Sequence, residues 1–142
     1  AGGLARIDLN TRTVARRFPL GSDPSFGPYY VEDMEVMPGN PRSVVVSRKV
    51  SFGAYNQGLA VYDDRTPRSG LVGPGSFAFG YYVGFYGFSN RLYPASAEGM
   101  RIVSVSSNGL EAIYTRGGTV YATEFETAGG LLHGTSGKGF LP

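Results

Sequence analysis

Cysteine and tryptophan are absent from this chain of 142 residues, and histidine occurs once. Without cysteine there is no disulfide, no thiolate nucleophile and no Cys-ligated zinc or iron–sulfur centre. A single histidine, His133, leaves no cluster of imidazoles for zinc or copper. Charge is scarce as well: 17% of the residues are charged, against roughly 25% in an average soluble domain. The formal net charge is +2, so a pI near 9.0 reflects an excess of only two cations. Arg12, Arg16 and Arg17, then Arg48 with Lys49, are the densest basic groups. They read as solvated strand faces and turns, and nucleic acid is not an expected partner.

Helical signals are missing too, because glycine and proline recur too often for a long helix. One run, residues 69–90, carries no charge over 22 positions, which is long enough to span a bilayer. It holds six glycines and Pro74. From Phe77 its aromatic and small residues alternate with period two, as in a strand inside a sheet. Membrane insertion is therefore not expected. The chain opens Ala1-Gly2-Gly3 without an initiator Met or a visible signal peptide, which suggests a processed protein or an excised fragment.

Glycine supplies 22 residues, about twice its usual share of roughly 7%, with no three-residue period to suggest collagen. Hydrophobic residues make up 42% and aromatics 13%, enough for a folded core rather than disorder. β-branched and aromatic residues cluster in short runs between turn formers. Strands are expected over residues 4–9, 14–20, 31–37, 43–50, 59–62, 71–72, 77–88, 91–95, 100–106, 110–115, 120–125 and 131–134. Residues 53–58 read as a polar loop. The three consecutive valines Val44, Val45 and Val46 suggest a strand covered on both faces. Ser107-Asn108-Gly109 reads as a hairpin turn of Asn-Gly type. About twelve short strands at this spacing point to an all-β sandwich, barrel or propeller.

One element recurs: an apolar strand, a polar or acidic turn, then a short return strand. It appears at Ala5-Arg6-Ile7-Asp8-Leu9-Asn10, at Leu59-Ala60-Val61-Tyr62-Asp63-Asp64 and at Arg101-Ile102-Val103-Ser104-Val105. The copies lie 55 and then about 42 residues apart, close to the length of propeller blades.

The segment Ile7-Asp8-Leu9-Asn10-Thr11-Arg12-Thr13-Val14, closed by Leu20-Gly21-Ser22-Asp23-Pro24, resembles the bacterial β-propeller repeats of the YVTN type. Those run strand, Ile-Asp, a Thr-containing turn, Val, then a Gly-x-x-Pro exit. Asp33-Met34-Glu35-Val36-Met37-Pro38-Gly39-Asn40-Pro41 and Gly58-Leu59-Ala60-Val61-Tyr62-Asp63-Asp64 continue the resemblance, which extends over residues 4–135. In the third copy Ser104 stands where an acidic turn residue belongs. The resemblance implies a propeller fold and a secreted, cell-surface or periplasmic location, and it assigns no activity.

On this reading the whole chain, residues 1–142, is a single all-β, β-propeller-like array of four-stranded antiparallel blades. Residues 4–24 form a half blade, 31–75 a blade, 77–115 a blade and 119–140 a half blade, about three blades' worth. Closed propellers usually need four to eight, so another copy or missing sequence is expected to complete the array. Two copies joined head to tail would give six blades, and a contact that failed to close would give a filament.

No catalytic constellation emerges. His133 beside Ser136 lacks the elbow of a nucleophilic serine. Glu32, Asp33 and Glu35, like Asp63 and Asp64, have the oxygen ligands calcium takes but no Asp-x-Asp-x-Asp-Gly loop. Gly134 to Gly139 fails the phosphate-loop pattern because Gly139, not Ser or Thr, follows Lys138. No metal, cofactor or catalytic residue is assigned. Tyr29, Tyr30, Tyr81, Tyr82 and Tyr86 sit in charge-poor surroundings and are candidate interface residues, since tyrosine pairs apolar area with a hydroxyl. The expectation is a non-catalytic binding or assembly module, self-associating as a homo-oligomer or polymer through its terminal strands, with another protein partner as an option. The alternatives are a structural subunit of an extracellular filament and a fragment of a propeller hydrolase or lactonase.

Overall fold

The structure, a computed structural model, describes residues 2–52, 56–73, 83–84, 90–96, 99–117, 125–128, 131–134 and 139–140. The protein is all-β, with no helix among the described residues.

Strands β1 (Gly3–Asp8) and β2 (Thr13–Pro19) form a hairpin. The turn expected at Asp8 is made by its own side chain: Oδ1 accepts the backbone N–H of Asn10 at 2.8 Å and of Thr11 at 3.2 Å. Next come β3 (Ser22–Asp23), β4 (Gly27–Val36), β5 (Ser43–Val50), β6 (Asn56–Asp63) and β7 (Thr66–Pro67). They pair consecutively and antiparallel in one five-stranded sheet. In a third sheet, β10 (Gly99–Ser106) pairs with β11 (Gly109–Gly117), β8 (Arg91–Leu92) and β9 (Ala95–Ser96). Finally β12 (Phe125–Ala128), β13 (Leu131–Gly134) and β14 (Gly139–Phe140) make a three-stranded sheet.

The first three sheets lie in layers, and the alternation of β5 and β6 shows why. Val45, Leu59 and Val61 point one way, into a core shared with Val72, Val83, Leu92, Val103, Val105 and Leu110. Val46, Ala60 and Tyr62 point the other way, with Val44 packed alongside, into a core shared with Phe18, Leu20, Leu4 and Tyr29. The middle sheet is thus apolar on both faces, with the hairpin over one and the β8–β11 sheet over the other. That accounts for the unbroken valine run, which a sheet with one wet face would interrupt with polar residues. The Tyr62 hydroxyl donates to the Leu20 carbonyl at 2.7 Å, so this phenol is buried and hydrogen-bonded.

Four expectations shift. The polar loop placed at residues 53–58 is strand from Asn56 onward, because Asn56 finds partners inside: its Nδ2 donates to Glu32 Oε2 at 2.7 Å and to Ser47 Oγ at 2.9 Å. Its Oδ1 accepts the Gly58 N–H at 2.7 Å. The β10–β11 loop is Ser107-Asn108, with Ser106 paired to Gly109, so Gly109 is the first residue of β11 rather than a turn centre. Its φ of 128° and the Gly70 carbonyl, 2.2 Å from where a Cβ would sit, both demand glycine there. At that point the backbone of residue 70 bridges to β11: Gly70 N–H donates to Asn108 O at 2.6 Å and Leu110 N–H to Gly70 O at 3.0 Å. The short strand expected at 71–72 is an antiparallel bridge of Val72 to Leu59. Of the aromatic strand expected over 77–88 only residues 83–84 are described, and they are not in a strand. Val83 is buried and its N–H donates to Asp33 Oδ2 at 2.8 Å.

Candidate functional site: an exposed hairpin and the arginine-lined cleft behind it

The hairpin covers the middle sheet with one face only. Leu4 is paired with Phe18 across the hairpin, and both pack inward. A bulge then shifts the register between Arg6 and Ile7, leaving Ala15 without a partner and placing Val14 opposite Ile7. That pair faces outward, with Ile7 56% and Val14 44% exposed, and Leu9 extends the patch at the turn. Among the described residues neither β1 nor β2 pairs with a third strand. The outer layer therefore presents an apolar face and unpaired strand edges, the features by which sheets recruit further strands. Arg16, Arg17 and Pro19 on β2 temper the edge with charge and a missing donor.

Behind the hairpin lies a cleft of about 110 Å³ between its inner face and β4–β5. Leu4, Phe18, Met34, Val36 and Val44 line it, together with Arg6, Arg42 and Asp64. Asp64 sits in the β6–β7 turn in the left-handed region, with φ 54°, a conformation Asp tolerates better than most residues. Its N–H donates to the Arg42 carbonyl at 2.8 Å. Its Oδ1 accepts Arg6 Nη1 at 2.5 Å; its Oδ2 accepts Arg42 Nε at 3.0 Å and Nη2 at 2.7 Å. The Arg42 hydrogen bonds, and the nearby charges of Arg42, Arg6 and Arg16, hold the Asp64 carboxyl below the usual carboxylate range.

Asp63, its neighbour, is used differently. Arg68 Nε and Nη2 each reach one of its oxygens at 2.8 Å, and Ser43 Oγ donates to Oδ1. Arg68 Nη1 continues to the Ser106 carbonyl. This chain of contacts links the middle sheet to the end of β10. The Arg68 hydrogen bond, ahead of every other cause, lowers the Asp63 pKa. All four oxygens of Asp63 and Asp64 thus accept side-chain donors, mostly arginine, and a calcium ion would have to displace guanidinium groups.

The other candidate residues fall elsewhere. Tyr29 is half-buried, packs against the inner core, and lies under the Arg48 guanidinium at 4.5 Å. Tyr30, next to it on β4, is also half-buried. Tyr81, Tyr82 and Tyr86 lie outside the described residues. Glu32 accepts from Ser47 and Asn56 inside the sheet. Glu35 has its pKa raised, first by burial and then by the Asp33 carboxylate. His133 is exposed on β13, its Nε2 3.2 Å from the Ala128 carbonyl oxygen, and Ser136 lies outside the described residues. Among the described residues no group of three or more His, Asp or Glu is placed to hold a metal ion.

Ile7, Leu9 and Val14 are the surface residues that a tyrosine-centred search passes over. A signal exists in the sequence: Leu4 and Ile7 are an odd number of positions apart and so face opposite sides of β1, which marks both faces as apolar. The bulge at Ala15 has no such signal. Comparison of the chain with protein-family models, with characterised proteins and with solved structures finds no match.

Proposed function

We propose that this chain is a non-catalytic binding and assembly module, a stack of antiparallel sheets of the β-propeller kind that joins head to tail with further copies outside the cytoplasm. The observation that carries the reading is the contrast between β5 and β6 of the middle sheet, apolar and covered on both faces, and the hairpin, apolar on both faces and covered on one. A sheet face carrying Ile7 and Val14 is built for a neighbouring layer. At the other end of the stack, Ile113 on β11 is 58% exposed. Exposed apolar side chains that differ between the two outer sheets, Ile7 and Val14 on one and Ile113 on the other, fit a heterologous contact better than an isologous one, and heterologous contacts close into rings or run on as filaments. The filament alternative is the open form of the same contact. The YVTN-type resemblance supports the extracytoplasmic location and the blade-like layering.

Light scattering on the full chain tests this. The native protein should exceed monomer mass, and Val14→Lys and Ile113→Lys should each lower the mass without altering the far-UV circular dichroism. Mixed together, the two variants should form dimers, since each keeps one intact surface. A native monomer at all accessible concentrations would sink the assembly reading. Failure of the mixed variants to pair would replace head-to-tail association with a symmetric contact.

A further inference from the structure

We propose that the cleft between β1 and β4–β5 is a binding site for a small monocarboxylate with a short apolar body. Three features converge there, and none is needed for the layers to assemble through the outer face of the hairpin.

The first is unmatched positive charge. Arg6 and Arg16 are directly opposite in the β1–β2 register, an arrangement that repels unless an anion intervenes. Arg42 joins them from the β4–β5 turn, and the charges of all three act on a single carboxylate, Asp64. Among the described residues no carboxylate pairs with Arg16, so one anion serves three cations.

The second is a set of positioned, unused donors. Asp64 is 8% exposed and pinned in a left-handed conformation by its backbone bond to Arg42. It engages Nη1 of Arg6 and the Nε–Nη2 edge of Arg42. Among the described residues nothing accepts from Nε and Nη2 of Arg6 or from Nη1 of Arg42, on side chains 40% and 73% exposed. Asp64 thus holds two guanidinium groups in place through charge-assisted hydrogen bonds.

The third is the apolar wall. Met34 and Val36 are 48% and 52% exposed on the cleft side of β4, with Leu4, Phe18 and Val44 beyond them. The cleft volume is about 110 Å³. That is room for the alkyl end of a short-chain acid whose carboxylate stays at the exposed arginines. A carboxylate at the arginines with such a chain against Met34 and Val36 satisfies both halves of the site.

Titration of the isotopically labelled full chain with 4-methylpentanoate, followed by amide shifts in NMR, tests the site. Saturable shifts are expected at Leu4, Phe18, Met34 and Val44. The uncharged 4-methylpentanamide should bind about tenfold or more weakly, the usual loss when a hydrogen bond to a charged partner goes. Arg42→Gln should weaken the acid by about tenfold. Val36→Asp, at an exposed position, should do the same by adding a carboxylate to the cleft while leaving the spectrum of the folded chain intact. Equal binding of acid and amide would reduce the site to an apolar crevice. Acetate or inorganic phosphate binding as tightly as the branched acid would reduce it to a charged patch. Either result overturns the proposal, as does the absence of saturable shifts at those four residues. Run on the Val14→Lys chain, whose substitution lies outside the cleft and which the assembly reading expects to stay small, these readouts fail or succeed separately from that reading.

Discussion

β5 and β1 have similar strand character and opposite fates. β5 is hydrogen-bonded along both edges and packed on both faces, and Val45, Val46 and Val50 are at most 1% exposed. β1 is bonded along one edge and packed on one face, leaving Ile7 more than half exposed. Both carry apolar residues in both phases of the pleat. Apolar residues on both faces therefore signal that two layers are wanted; they do not say that the chain itself supplies both.

The sharpest way to break this contrast is to truncate one residue on each side of it. Leu59→Ala, fully buried between two layers, should cost about 2–5 kcal/mol, the range for a large-to-small change in a packed core. Ile7→Ala should cost no more than about 0.5 kcal/mol, as surface changes do. Urea unfolding at concentrations where the chain is monomeric measures both. Comparable losses at the two positions would mean that the hairpin's outer face is covered within the chain, and the contrast would vanish.

The contrast also holds for polar groups, with a smaller effect. Asn56, 4% exposed, bonds Glu32, Ser47 and Gly58 within the middle sheet. Asn56→Ala strips those groups of their partner and should cost about 1–3 kcal/mol. Asn10→Ala, in the exposed hairpin turn, should stay within about 0.5 kcal/mol. Thermal melts of the two variants side by side give the comparison. A neutral Asn56→Ala would show that water replaces the side chain and that β6 does not depend on this network to begin where it does.

What the sequence disclosed follows the same division. The all-β class and most strand positions were legible because glycine, Asp8-Leu9-Asn10 and Pro38-Gly39-Asn40-Pro41 punctuate the chain and because β-branched runs have few other uses. The double burial of β5 was legible in three adjacent valines. Asn56 and Gln57 read as loop because a buried amide looks like any polar residue until its partners, 24 and 9 positions away in the case of Asn56, come into view. The arginine cleft was hidden for a like reason: Arg6, Arg42 and Asp64 are distant in the chain, and only the β1–β2 register and the two turns bring them together. The bulge that turns Val14 outward shifts the pleat by one residue and leaves no mark in composition.

The smallest effect, and the one that bears most directly on how the layers are held, is the response to acid. Asp63 has a lowered pKa, chiefly through its hydrogen bonds with Arg68. Its contribution to stability is therefore fully present above the unfolded value of about 3.9 and disappears as pH falls through the lower folded value. Glu35 runs the other way. Its pKa is raised by burial and by Asp33, so its contribution is present below the unfolded value of about 4.3 and is lost as pH rises through the folded one. Asp63→Asn should flatten the acid limb of a melting-temperature profile below about pH 4, while Glu35→Gln should leave that limb alone and raise stability slightly at pH 7. With the Asp63 side chain 46% exposed, its share should stay under about 1 kcal/mol. If Asp63→Asn leaves the acid limb unchanged, the link from Asp63 through Arg68 to Ser106 adds nothing to the joining of the middle sheet and the β8–β11 sheet. The apolar core and the backbone bridge from Gly70 to β11 would then carry that joint, whereas the hairpin is tied to the middle sheet by Arg6 and Asp64 as well as by Leu4 and Phe18.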